Sequence, residues 1–195
     1  MRSLMVLFLF INLTIYGQEF SIGWTKASTE SGSEFKKYEP QTACFFIKHR
    51  RLYNEDFMWG LGLDMMSFRK SASPERTIKI KGITGEIGYY FRQIPGLTVL
   101  GSTSFGLMRC EYDFIDPPAD LKGSSGTGVS IEPSVSIFFP LSKTLIFSPS
   151  IGYHMLFDKM NFKTTNPIKQ PIGKLDSHMF AMTYRLALSW RFRKE

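Results

Sequence analysis

Large apolar residues recur at every second position along most of this chain. The last such stretch runs His178, Phe180, Met182, Tyr184, Leu186, Leu188, Trp190 and Phe192, set against Met179, Ala181, Thr183, Arg185, Ala187, Ser189 and Arg191. Period two marks a β-strand with two unlike faces, because side chains alternate across a strand. The same alternation runs through 145–157, 129–139, 97–107, 83–91 and 57–65, and more briefly through 43–48 and 20–25. Ile78 and Ile80 are out of phase with Ile83, which predicts a bulge between Lys81 and Gly82. Eight strands are therefore predicted, at 19–27, 41–50, 56–68, 77–92, 97–111, 127–139, 143–158 and 178–193.

The connections alternate in length. Those at 28–40, 69–76, 112–126 and 159–177 are generally long and rich in Ser, Gly, Pro and charge; the others are short turns. With the long ones at one end, both termini fall at the other. The pattern predicts an all-β fold, an eight-stranded antiparallel up-and-down barrel.

The direction of the large face decides what surrounds the barrel. The opposite row is mostly Gly, Ser, Thr and Ala with isolated charges. A wall washed by water would carry Lys, Glu, Gln and Arg at many positions. Eight strands enclose just enough room for side chains to fill, so small residues suit the interior. The large row holds too much Phe, Trp, Leu and Ile to fit inside. It therefore faces lipid, and the barrel is transmembrane. A soluble calyx is the alternative; its early G-x-W spacing is absent, since Gly23 and Trp24 are adjacent. Pro133 and Pro149 lie on the lipid-facing row, where each removes a ladder donor.

Composition adds a leader and a compartment. Arg2, the apolar run from Met5 to Ile15 and the small Gly17 read as a secretory signal peptide over 1–17, with the barrel at 18–195. The apolar run is too short to span a bilayer, which takes about 20 residues. Mean hydropathy is −0.10, which suits a membrane barrel because only alternate residues touch lipid. The net charge of +7 is scattered, with no nucleic-acid motif; anionic lipid head groups are the expected partners.

With signal peptide, strand count, loop alternation and an aromatic last strand in place, the chain resembles the small eight-stranded outer-membrane barrels of the OmpA/OmpX type, over essentially all of 18–195. The resemblance implies the outer membrane of a Gram-negative-type bacterium, lipopolysaccharide as a neighbour and the barrel-assembly machinery as a partner during biogenesis. A monomer is expected. Such barrels end on an aromatic residue that the machinery reads; here Phe192 is followed by Arg193, Lys194 and Glu195.

The lumen row carries Lys48, Asp64, Glu86, Glu132 and Arg185. Charges buried there must be paired. Arg185 is expected to bridge acids, with Lys48, a water or a shared proton making up the balance. The network reads as a structural plug, or alternatively as a gate. Trp59, Tyr89, Phe91, Phe139, Trp190 and Phe192 beside the short turns, and Tyr153 toward the long connections, are the expected interface aromatics. Arg69, Lys70, Arg76, Lys79 and Lys81 are candidates for lipopolysaccharide phosphates, or else a solvated loop. Cys44 and Cys110 fall three strands apart, too far for a disulfide. No metal-ligand spacing is present and no cofactor is expected. The expected function is a non-enzymatic barrel with a plugged lumen, in envelope integrity or surface adhesion. The alternatives are a small channel or transporter and a lipid-A-modifying enzyme. For the last, Ser177 with His178, or His154 with Asp158, would have to supply nucleophile and base.

Overall fold

The computed structural model describes residues 17–29, 38–40, 44–54, 56–70, 73–94, 97–114, 121–164 and 174–192. Of the predicted leader at 1–17, all but Gly17 lies outside them. The strands are β1 (Gln18–Thr29), β2 (Tyr38–Pro40), β3 (Phe45–Leu52), β4 (Phe57–Lys70), β5 (Ser73–Ile94), β6 (Leu97–Phe114), β7 (Leu121–Pro140), β8 (Leu145–Thr164) and β9 (Lys174–Phe192). β2 and β3 lie end to end along the same edge of β4, so nine segments make eight staves. Each stave pairs antiparallel with its neighbours in sequence. β1 pairs with β9, from Gln18 opposite Phe192 to Thr29 opposite Ala181, and closes the sheet into a barrel. Both ends of that seam's chain therefore sit at the short-turn end.

Closure explains the alternation. A closed sheet has no unpaired edge, so its exterior can be apolar without inviting strand addition. Leu107 is 66% exposed, Trp24 64% and Ile83 62%, on the same strands whose alternate residues are almost fully buried. The exterior is greasy and the interior polar over the middle of the barrel. That is the reverse of a soluble barrel and is the arrangement hydrocarbon requires.

Two expectations are corrected. β5 carries no bulge at Lys81 and Gly82: its register with β6 is unbroken from Arg76 opposite Phe114 to Phe91 opposite Val99. Ile78 and Ile80 point inward and are buried. The phase change in the sequence records an apolar layer inside the barrel, and the strand itself does not slip. The long connections are also shorter than expected. β4 ends at Lys70 and β5 begins at Ser73, β6 reaches Phe114, and β8 reaches Thr164. Crossing a bilayer takes about 9–11 tilted residues, whereas β5, β7 and β8 have 22, 20 and 20. The apolar alternation stops where hydrocarbon stops, but the backbone ladder needs only a partner strand and continues beyond it.

Pro133 and Pro149 both fall at gaps in the β7–β8 register, while Pro133 keeps Thr103 and Pro149 keeps Leu186 on their other sides. The two missing donors are thus gathered into one seam.

Candidate functional site: the charged lumen

Inward glycines and short side chains leave room for long charged ones. A Cβ on Gly62 would stand 2.9 Å from Lys48 Cγ and 2.8 Å from Thr84 Oγ1. One on Gly152 would meet Glu132 Oε1 and Thr183 Oγ1, each at 2.9 Å. The space so made is filled by two ion chains, each centred on an arginine.

The first lies toward the short turns. Arg50 of β3 donates through Nε to Glu86 Oε2 at 2.9 Å and through Nη1 to Glu19 Oε1 at 3.0 Å. Glu86 also accepts from Ser102 Oγ at 2.8 Å and faces Lys48 Nζ at 3.3 Å. Arg191 Nη2 holds the other oxygen of Glu19 at 2.9 Å. The second chain is centred on Arg185 of β9. Its Nη2 donates to Glu132 Oε2 at 2.7 Å. Its Nη1 stands 2.9 Å from Asp64 Oδ1, near enough for the charges to pair although the N–H is not aimed along that line. Glu132 further accepts from Thr183 Oγ1 at 2.8 Å and from His154 Nδ1 at 2.9 Å, and Thr84 donates to Asp64 at 3.2 Å. The Phe46 ring lies between the chains, 5.0 Å from the Arg185 guanidinium and 5.8 Å from Lys48 Nζ.

All five lumen residues predicted from sequence lie in these chains. The predicted imbalance of one arginine against three acids is corrected. Among the described residues, Arg50, Glu19 and Arg191 bring the two chains to four acids and four strong bases, so their formal charges balance. The signal for them was phase alone: Arg50 follows Lys48 by two, Glu19 precedes Ser21 by two, and His154 follows Gly152 by two. His154 Nε2 has no hydrogen-bond partner among the described residues.

Apolar layers close the lumen on both sides of the charges. Met58, Tyr90, Leu100, Phe138 and Ile146 pack together at the short-turn end. Arg191 lies 5.9 Å from both the Tyr90 and Phe138 rings, joining that layer to Glu19. Toward the long connections, Met66, Phe68, Ile78, Ile80, Leu156 and Met179 form a second layer, which also holds Cys44 and Cys110. No disulfide joins these two thiols.

The other predicted residues lie on the outer wall. Tyr89, Phe91, Phe139, Trp190 and Phe192 are exposed there, and Trp59 and Tyr153 are half-buried. Around the short-turn rim, Tyr89 packs on Phe91 at 5.1 Å, Phe20 on Trp190 at 6.5 Å, and Arg51 lies 5.8 Å from the Trp59 ring. Arg69, Lys79 and Lys81 are exposed and point outward from β4 and β5, so they belong to strands and not to a loop. The side chains of Lys70 and Arg76 lie outside the described residues, as do those of Ser177 and Asp158. His178 faces outward against Phe157, with ring centroids 5.6 Å apart. A concavity of about 620 Å³ lies on the outer wall, over Gly101 and Pro133 between Tyr89 and Tyr153.

No protein-family model matches the chain, and no curated protein matches it. Solved structures do. The outer membrane protein OprG from Pseudomonas aeruginosa superposes with a TM-score of 0.60 at 10% identity, over 92% of this chain and 97% of that one. Ail, the attachment invasion locus protein of Yersinia pestis, gives 0.55 at 15%, over 92% and 100%. Neisserial surface protein A gives 0.51 at 14%, over 93% and 98%. The fold is that of the small eight-stranded outer-membrane barrels. At these identities the likeness is one of architecture, and function has to be argued from the site.

Proposed function

We propose that this chain is a non-enzymatic outer-membrane barrel, plugged by its own side chains, that serves envelope integrity or surface adhesion. One observation carries the reading: the lumen is filled in three successive layers, apolar, charged and apolar, with the charges of the middle layer matched among themselves. A water-filled pore needs polar walls from end to end. Here Phe68 and Leu156 on one side, and Met58 and Leu100 on the other, are fully buried across the path. The strands that rise beyond the apolar band supply the surface that an adhesive or bridging role would use.

Two experiments test this. Protein refolded into planar bilayers should give no large, stable openings; regular conductance steps would favour the channel reading. Expression in a host without lipid-A-modifying enzymes should leave the lipid A mass spectrum unchanged; a new acylation state would turn attention to His154 and Glu132. Heat-modifiable gel mobility in outer-membrane extracts checks the location.

A further inference from the structure

One ring nitrogen in the lumen is left over. His154 is 1% exposed, and its Nδ1 donates to Glu132, which also accepts from Arg185 and Thr183. That donation places the ring proton on Nδ1 and leaves a bare lone pair on Nε2, which has no partner among the described residues. The two nitrogens lie on opposite sides of the ring, so Nε2 looks away from the charges and toward the apolar layer. The stagger of the barrel decides what it meets. Followed round the wall from Ala181, opposite His154, by way of Glu86, Gly60 and Glu19, the ladder returns to β9 at Arg191, ten residues nearer the short turns. A level ring through His154 therefore climbs past the ladder partners, from Glu86 to Gly82 on β5 and from Gly60 to Met66 on β4. Met108 of β6 folds over Gly82: a Cβ built there would collide with Met108 Sδ, and one on Gly106 would stand 2.9 Å from Met108 Cε. Met66 and Met108 are both buried in the layer that caps the charges. The bare nitrogen thus shares its level with two thioethers, brought from three staves that no spacing along the chain connects.

The local charge points the same way. The ion chain centred on Arg185 sets two carboxylates, Asp64 and Glu132, against one guanidinium. The other sets three cations, Lys48, Arg50 and Arg191, against Glu19 and Glu86. The two balance as a pair, but the end beside His154 is short of one positive charge, and a single added cation there is favoured.

We propose that His154 Nε2 and Met108 Sδ, with Met66 Sδ, bind one monovalent thiophilic metal ion, Cu(I), at the boundary between the charged and apolar layers. Soft thioether ligands select Cu(I), and imidazole suits copper as well. A metal-bound histidine characteristically donates its other ring N–H to a carboxylate, which is the part Glu132 already plays. Among the described residues no three of His, Cys, Asp and Glu gather as metal ligands, so the site offers a hard divalent ion little. Cys44 is not assigned to it, because its Sγ is engaged with the backbone of Ser67, 3.2 Å from N and 3.5 Å from O. Cys110 and Met179 stand nearer the long connections than the level of His154.

The test is retention of Ag(I), a stand-in for Cu(I) that needs no reductant. The chain is refolded in detergent with silver nitrate in chloride-free buffer and passed through gel filtration in free methionine, which strips loosely held ion. Bound silver is then counted by native mass spectrometry. The C44S/C110S variant removes the thiols as rival ligands and should keep one ion per chain. Adding M108L or H154Q to it should weaken binding by about a hundredfold or more, since losing even an outer partner of a metal ligand costs about 10–100-fold. Leu conserves the volume of Met, so M108L isolates the sulfur. M179L, a methionine of the same layer placed above the site, should match its parent. No ion on C44S/C110S, undiminished binding in M108L and H154Q, or equal retention of Zn(II) overturns the proposal. Heat-modifiable mobility establishes that each variant is folded. If C44S/C110S is not, M108L in the wild-type chain should hold one silver ion fewer than wild type, and equal counts overturn the proposal.

Discussion

In the middle of the lumen, Arg50, Arg185, Glu86 and Glu132 are 3–6% exposed; one layer toward the long connections, Phe68, Ile80, Leu156 and Met179 are buried as deeply and carry no charge. The two layers are equally dry but are held by different forces. In the apolar layer each side chain contributes separately, by leaving water and by close contact. In the charged layer no residue is favourable alone. Desolvation of each ion is offset only by its partners, so the layer stands or falls as a set. The charged layer therefore fixes which strands face one another, whereas the apolar layer only requires that something of the right volume be present.

That contrast can be broken first at Arg185. Arg185→Ala leaves Asp64 and Glu132 buried without their shared cation, and should destabilise the barrel by about 4–5 kcal/mol in denaturant unfolding from lipid vesicles. Replacing Asp64, Glu132 and Arg185 together by Leu or Met should recover most of that loss. If the triple replacement is as unstable as the single one, the residues do not act as a set. Phe68→Ala removes a ring from the apolar layer and should cost about 3–4 kcal/mol, and here Phe68→Leu should recover most of the loss by volume alone. Gly152→Ala places a methyl against Glu132 and Thr183 and should cost about 2 kcal/mol, read as a lowered Tm in detergent. The smallest effect is expected on the outer wall. Lys81→Gln should change stability by at most about 1 kcal/mol, because its pair with Glu111, at 3.0 Å, lies on the outer wall and is screened by salt. A larger change there would mean that the exterior pairs share the work assigned to the lumen.

The charged layer was half legible beforehand. Lys48, Asp64, Glu86, Glu132 and Arg185 stand out because a charge in a row of Gly, Ser and Thr is conspicuous. Arg50 and Arg191 do not, because each sits near a strand end where charge is ordinary. Whether such a residue turns into the lumen or out into water depends on where the wall ends. The apolar layer was misread on β5 alone, since Met66, Met108, Leu156 and Met179 stand in the inward row of the sequence pattern. Inward Ile78 and Ile80 look like outward residues shifted by one, and only the pairing of β5 with β4 and β6 shows that the strand keeps its phase.

The linear order of residues by itself determined the period of two, the number of staves, the alternation of short and long connections, and the sidedness that sends Phe, Trp and Leu to lipid. These follow from local geometry, since a strand assigns its faces residue by residue. Closure of β1 on β9 decided the rest: which acid meets which arginine, where the interior turns from polar to apolar, and that the cations of β5 stand on the outer wall beside Arg109. Those are relations between strands distant in the chain, and their free energy exists only once the wall has closed and excluded water from between them.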